Sequence, residues 1–119
     1  MNESCRVETV RDGDLAVVRT EGYINREGGE EIERCIQTLL EGGVSRIVLN
    51  LEKTKIVNSI GISILIEVLE RMMERKGALA FCRLTPTIDK TFRIMGLAQY
   101  AEIFPTQDEA MKKVTSQTA

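Results

Sequence analysis

The sequence predicts one α/β domain, a mixed β-sheet that opens with a hairpin and is covered by about four α-helices. Three observations predict it. A chain of 119 residues is the size of a single domain and can bury a real core. Apolar residues make up 43% and charged residues 29%, the balance of an ordinary globular protein, with no repeat, low-complexity tract or linker. After two opening β-branched runs, helix-periodic segments alternate with short apolar runs, as in a sheet covered by crossover helices.

Cys5–Val10 and Leu15–Glu21 read as two strands joined across "RDGD", whose Asp-Gly pair carries hairpin turn chemistry. "EGYIN" leads through Arg26 toward a helix. From Glu30 to Glu41, residues Ile32, Cys35, Ile36, Leu39 and Leu40 recur at helical spacing, and Gly42-Gly43 stops the run. "SRIVLNL" suits a buried central strand. A helix over Gly61–Lys76 follows, with Gly77 as its stop, and then "ALAFCRL" as a further short strand. Thr85-Pro86 starts a helix, threonine as N-cap and proline in the first turn. Ile88, Phe92 and Met95 form its apolar stripe before Gly96. A brief strand at Glu102–Phe104 precedes Thr106-Gln-Asp-Glu109, a capping-box pattern that opens a last helix with Ala110, Met111 and Val114. Residues 1–114 form the domain, and 115–119, "TSQTA", read as a disordered tail.

Composition narrows the function classes. Acidic and basic residues nearly cancel, giving a net charge of −2, and they are interspersed, so nucleic-acid binding, which needs a basic face, is not expected. Histidine is absent, which removes the commonest general base and metal ligand. Cys5, Cys35 and Cys82 are odd in number and far apart, which fits a reduced, cytoplasmic protein without a metal site or other cofactor. The N-terminus lacks a signal-peptide pattern, and the longest apolar run, Ile60–Met73, is broken by Ser63, Glu67, Glu70 and Arg71, so no membrane insertion is expected. Neither phosphate-cradling glycine motif occurs. A Ser59 nucleophile would need a lysine such as Lys55 as its base, and Glu30 and Glu31 point in different directions on a helix. The protein is therefore expected not to be an enzyme.

The junction "VNSIGIS" carries the functional reading. Asn58 or Ser59 suits the N-cap of the following helix. Alternatively, the serine is an exposed, regulated group on a strand-to-helix turn. On that helix Ile62, Leu65, Ile66, Leu69, Met72 and Met73 form the core arc, while Ser63, Glu67, Glu70 and Glu74 face solvent. Ile60, Ile64 and Val68 make a second apolar line that Arg71 and Arg75 continue. Another element of the domain covers that line, or it docks a partner. On the docking reading, Ile64→Asp would abolish binding and spare stability. The same line could close a homodimer.

The order of elements and "IVLNLEKTKIVNSIGISILIEVLERM" resemble the STAS domain, and more narrowly the free-standing bacterial anti-sigma factor antagonists. "EGYIN" stands where that family often has Gly-Glu-Leu-Asp, and "LTPTIDKTFRIMGL" where it has a Ser/Thr-Pro helix ending in Gly-Leu. The resemblance implies a partner-switching regulator that binds an anti-sigma factor acting also as a serine kinase, and is released when phosphorylated. By motif position the phosphorylated serine is Ser59. Asn58 and Asn25 stand at positions that are usually acidic, and Ile60 replaces a second Ser or Thr. Partner contact is expected at Asn25, Asn58, Ile60, Gly61, Ile64 and Val68. A STAS module that is never phosphorylated, serving a transport or other regulatory complex, is the alternative.

Overall fold

The computed structural model describes residues 5–116. Its elements are β1 (Cys5–Asp12), β2 (Leu15–Ile24), α1 (Arg26–Glu41), β3 (Arg46–Val57), α2 (Ser59–Glu74), β4 (Ala78–Cys82), α3 (Pro86–Ile94), a 3₁₀ turn (Leu97–Gln99), β5 (Glu102–Phe104) and α4 (Gln107–Ser116). The strands lie in chain order across one sheet, β1 antiparallel to β2 and the rest parallel. The expected class, a mixed sheet with an opening hairpin and four helices, is the observed one. Asp12 pairs with Leu15, so the hairpin loop is Gly13-Asp14, and Gly13 takes the positive φ of 66° that such a turn requires.

Parallel neighbours in sequential order need crossovers of one hand, which stack their helices on one face of the sheet. Alternation along the strands shows it. Ala16, Val18, Ile47, Leu49 and Phe81 share a core with α1, α2 and α3, while Val17, Val48, Ala80 and Cys82 meet Ala110 and Val114 of α4 on the other face. Phe81 and Phe92 meet edge to face, with ring centroids 5.1 Å apart. Thr106 caps α4, its hydroxyl accepting from the Glu109 amide at 3.2 Å. That helix runs on through Thr115 and Ser116, where a disordered tail was expected; the remainder of the tail lies outside the described residues.

Several boundaries differ from the sequence reading. β3 continues past Leu51 to Val57, seated only against β2 once β4 ends at Cys82 opposite Asn50. Two slips of register, between Arg19 and Glu21 and between Gly22 and Tyr23, give β3 an extra residue each time. Such bulges bend and twist a strand, and these two lie in the segment that delivers the chain to Ser59. α1 starts at Arg26, a full turn before Glu30, because Gly28 and Gly29 pack inside it rather than break it. α2 ends at Glu74, with Lys76 rather than Gly77 in the left-handed conformation at φ 59°. The Gly77 amide then donates to the Met72 carbonyl at 2.9 Å. Gly77 is small for another reason: a methyl there would lie 2.9 Å from Met72 Cε and 3.0 Å from the Ser45 carbonyl oxygen.

Lys76→Gly is accordingly expected to stabilise the protein by about 0.5–1 kcal/mol, since a left-handed conformation strains any residue with a Cβ. A urea midpoint that fails to rise would contradict this.

Candidate functional site

Two helix N-termini meet at the end of β2, and they are built alike. Asn25 caps α1, its Oδ1 accepting the Gly28 amide at 2.9 Å; Asn58 caps α2, its Oδ1 accepting the Gly61 amide at 2.8 Å. Each follows an Asn-x-x-Gly pattern, and each glycine sits hard against the last carbonyls of β2. A methyl at Gly28 would overlap the Tyr23 carbonyl oxygen and lie 2.9 Å from Cys5 Cβ. One at Gly61 would overlap the Ile24 carbonyl oxygen and lie 2.7 Å from its carbon. That same Ile24 oxygen accepts the Asn58 amide at 3.1 Å. The strand end, the two caps and the two glycines thus fix the loop as one unit.

Ser59 is exposed at the first position of α2. Because Asn58 does the capping, the Ser59 hydroxyl has no hydrogen-bond partner among the described residues; its carbonyl accepts the Ser63 hydroxyl at 3.0 Å. Asn58 and Ile60 are exposed beside it, Asn25 is half-buried and Gly61 buried. Asn58→Asp is expected to stabilise α2 by about 0.3–1 kcal/mol through the positive end of the helix. Asn58→Ala is expected to cost about 1 kcal/mol. Denaturant midpoints of the pair check both signs.

The second apolar line on α2 is covered by this domain, which corrects the docking-strip expectation for most of its length. Ile64 packs onto Gly29 of α1, where a methyl would lie 3.1 Å from Ile64 Cβ. Val68 is only 3% exposed, so it faces the core rather than outward. Arg71 reaches Glu33 of α1 at 3.1 Å. Only Ile60, 44% exposed, stays open, with Ile56 at 52% on the preceding strand end. Covering α2 from both the sheet and α1 shifts its buried arc toward Val68 and leaves Met73, expected in the core, exposed. Met95, also read as stripe, follows the end of α3 and is exposed, the core position passing to Leu97.

Other chemistry is sparse. Burial raises the thiol pKa of Cys5 and Cys35, and that of Cys82 to about 11, so none is a ready thiolate. Among the described residues no cluster of His, Cys, Asp or Glu could hold a metal ion, and no helix is long and apolar enough to cross a membrane. A hollow of about 380 Å³ lies over the sheet face not covered by α1 and α2. Its bases, Arg6, Arg19 and Lys53, are matched by the acids Glu8, Glu21 and Glu52.

The STAS domain model matches residues 6–110 of the chain. The chain belongs to the STAS domain family. Within it, BtrV of Bordetella bronchiseptica, named as an anti-sigma factor antagonist, is 28% identical over 94 residues, 79% of this chain and 78% of BtrV. Among solved structures, an anti-sigma factor antagonist from Mycobacterium paratuberculosis aligns with a TM-score of 0.84 at 20% identity, over 98% of each chain. The phosphorylated form of the Bacillus cell fate determinant SpoIIAA aligns at 0.70 and 23% identity, over 93% of this chain and 99% of that one. At such identities the structures establish a shared STAS fold.

The sequence reading missed Gly28 and Gly29 as part of this site. The signal was present in the twofold occurrence of Asn-x-x-Gly, in "NREGG" and "NSIG", each after an apolar strand end.

Proposed function

We propose that this protein is an anti-sigma factor antagonist working by partner switching. Its unphosphorylated loop binds a cytoplasmic anti-sigma factor that is also a serine kinase, and phosphorylation of Ser59 releases that partner. The observation that carries the reading is the Ser59 hydroxyl, exposed at a helix N-terminus and relieved of capping by Asn58. A serine that capped its own helix would lose that bond on phosphorylation and loosen the turn. Here the phosphate would enter solvent beside the positive end of α2, which stabilises negative charge. The fold is then unchanged and only the docking surface differs, as a local electrostatic switch requires. The names of its relatives point the same way.

Asn58, Ser59 and Ile60 form the contact surface, with Asn25 beside them, Gly61 holding the loop in place, and Ile64 and Val68 packing α2 into the domain. The kinase supplies the catalytic groups, so this chain needs none. Peptide mass spectrometry on protein recovered from its native host, with co-purifying partners identified, is the test. One phosphate on Ser59 together with a kinase-like partner is expected. No phosphate under any growth condition, with a transport protein as partner, would replace the switch by a constitutive docking module.

A further inference from the structure

β1 is an edge strand, and one side of its main chain is open. The hairpin loop has two residues, so its closing pair, Asp12 and Leu15, exchanges both main-chain hydrogen bonds. The register runs from there to Cys5 and Gly22 without a slip. Bonded and non-bonded pairs alternate along it, so Asp12, Val10, Glu8 and Arg6 bond to β2. The amides and carbonyls of Arg11, Thr9, Val7 and Cys5 point outward, and among the described residues none of them bonds to another element. The usual guards of an edge are missing, since β1 has no proline, no lysine and no bulge against β2. The opposite edge, β5, is guarded by being only three residues long. Charges on an edge also deter pairing, but here their order matters. On the uncovered face Arg6 stands opposite Glu21, and Glu8 opposite Arg19. Both pairs are loose: Arg6 reaches Glu21 only at 3.9 Å, and Arg19 donates to Gln107 Oε1 at 3.5 Å rather than to Glu8.

From this edge we infer that two copies of the chain pair β1 to β1, antiparallel, about a twofold axis at Val7, joining their sheets into one. Val7 then bonds to Val7 of the second copy and Cys5 to its Thr9, which uses outward groups alone. Arg6 meets Glu8 of the second copy in a non-bonded pair, the kind in which opposed side chains lie closest. Each row across the joined sheet reads Glu21, Arg6, Glu8, Arg19, alternating in sign, and symmetry supplies the row twice. Other registers that match outward groups do worse. An axis at Arg6 or at Glu8 sets that residue against its own copy, and one at Val10 sets Glu8 against Asp12. An axis at Thr9 opposes Arg6 to Asp12, but it puts Glu8 against Val10 and Val7 against Arg11, whose guanidinium is held by the Gly42 carbonyl at 2.7 Å. Val7 and Cys5, half-buried at the edge of the core, gain cover on the α1 side. Ser59 follows the end of β3, two strands in from this edge. Self-pairing and docking at Ser59 therefore use separate surfaces, and neither depends on the other.

Sedimentation velocity of the full chain over a range of concentration, with amide exchange on ¹⁵N-labelled protein, tests it. A reversible monomer–dimer equilibrium is expected, and the Val7 and Thr9 amides should exchange more slowly as the dimer fills. Arg6→Glu and Glu8→Arg are each expected to weaken dimerisation roughly tenfold, because each sets like charges opposite one another twice. Both residues are exposed, so circular dichroism should show the variants folded. Mixing the two variants opposes glutamates to arginines again and is expected to recover the dimer as a heterodimer, a rescue that a merely structural role for these charges would not give. A chain that stays monomeric at millimolar concentration would overturn the inference. So would a dimer indifferent to both variants, or a mixture no tighter than either variant alone. Protection of Val7 and Thr9 that appears only when a different protein is added would give the edge to a foreign strand and overturn it as well.

Discussion

Gly61→Ala is expected to destabilise the protein by on the order of 3 kcal/mol, although alanine is ordinarily the better helix former by about 1 kcal/mol. The sign reverses because of what the methyl would meet. It would lie 2.7 Å from the Ile24 carbonyl carbon and 2.9 Å from Ile24 Cγ2, and overlap the carbonyl oxygen. Neither side can yield cheaply. Ile24 is wholly buried and paired with Val57 across the sheet, and its oxygen already receives the Asn58 amide at 3.1 Å. Moving α2 away would stretch the Asn58 amide's bond to the Ile24 carbonyl, worth about 1 kcal/mol, and the helix's contact with α1. Thermal unfolding should fall by roughly 10 °C, and the amides of Asn58–Ile62 should lose hydrogen-exchange protection first. An unchanged or higher melting temperature would mean that α2 does not sit this close to β2, and the rigid presentation of Ser59 would fall with it.

What the sequence could show follows from where each signal resides. Thr85-Pro86 and Thr106-x-x-Glu109 are local devices whose chemistry acts within one turn, and both start helices in the structure. The strand cores "AVV", "IVL" and "AFC" are legible because burial on two faces needs unbroken apolar runs. The far end of β3 is different. Its "EKTK" looks like loop, and only pairing with β2, corrected by two bulges, makes it strand. Thr54 is buried there, its hydroxyl bonded to that of Thr20, a partner 34 positions earlier in the chain. The caps divide in the same way. Either Asn58 or Ser59 could have accepted the Gly61 region's free amides, and geometry chooses Asn58, which is what leaves the serine free. Periodicity on α2 likewise shows two apolar lines but cannot say which neighbour lies against the second.

Ile64→Asp and Ile60→Asp should therefore separate cleanly, although the two residues are one turn apart on the same line. On the docking reading of the sequence, Ile64→Asp would spare the fold; on the alternative, that the domain itself covers this line, it would not. In the structure Ile64 is pressed against Gly29, with its Cβ, Cγ2 and Cδ1 all within 3.3 Å of where a methyl on that glycine would be. An aspartate there loses the isoleucine's packing and puts a carboxylate between two helices. The expected loss is about 2–4 kcal/mol. Ile60 is 44% exposed, and aspartate at that position joins the first turn of a helix, where negative charge is tolerated. Its unfolding free energy should stay within about 0.5 kcal/mol of the parent, while partner binding drops. Urea unfolding of the two variants, followed by partner capture with the folded one, reads both effects. If Ile64→Asp unfolds like the parent, α1 is not the cover of this line, and the docking strip extends down α2 after all. If Ile60→Asp binds like the parent, the loop docks through Asn58 and Ser59 without an apolar anchor, and Ile60 is exposed for some reason other than contact.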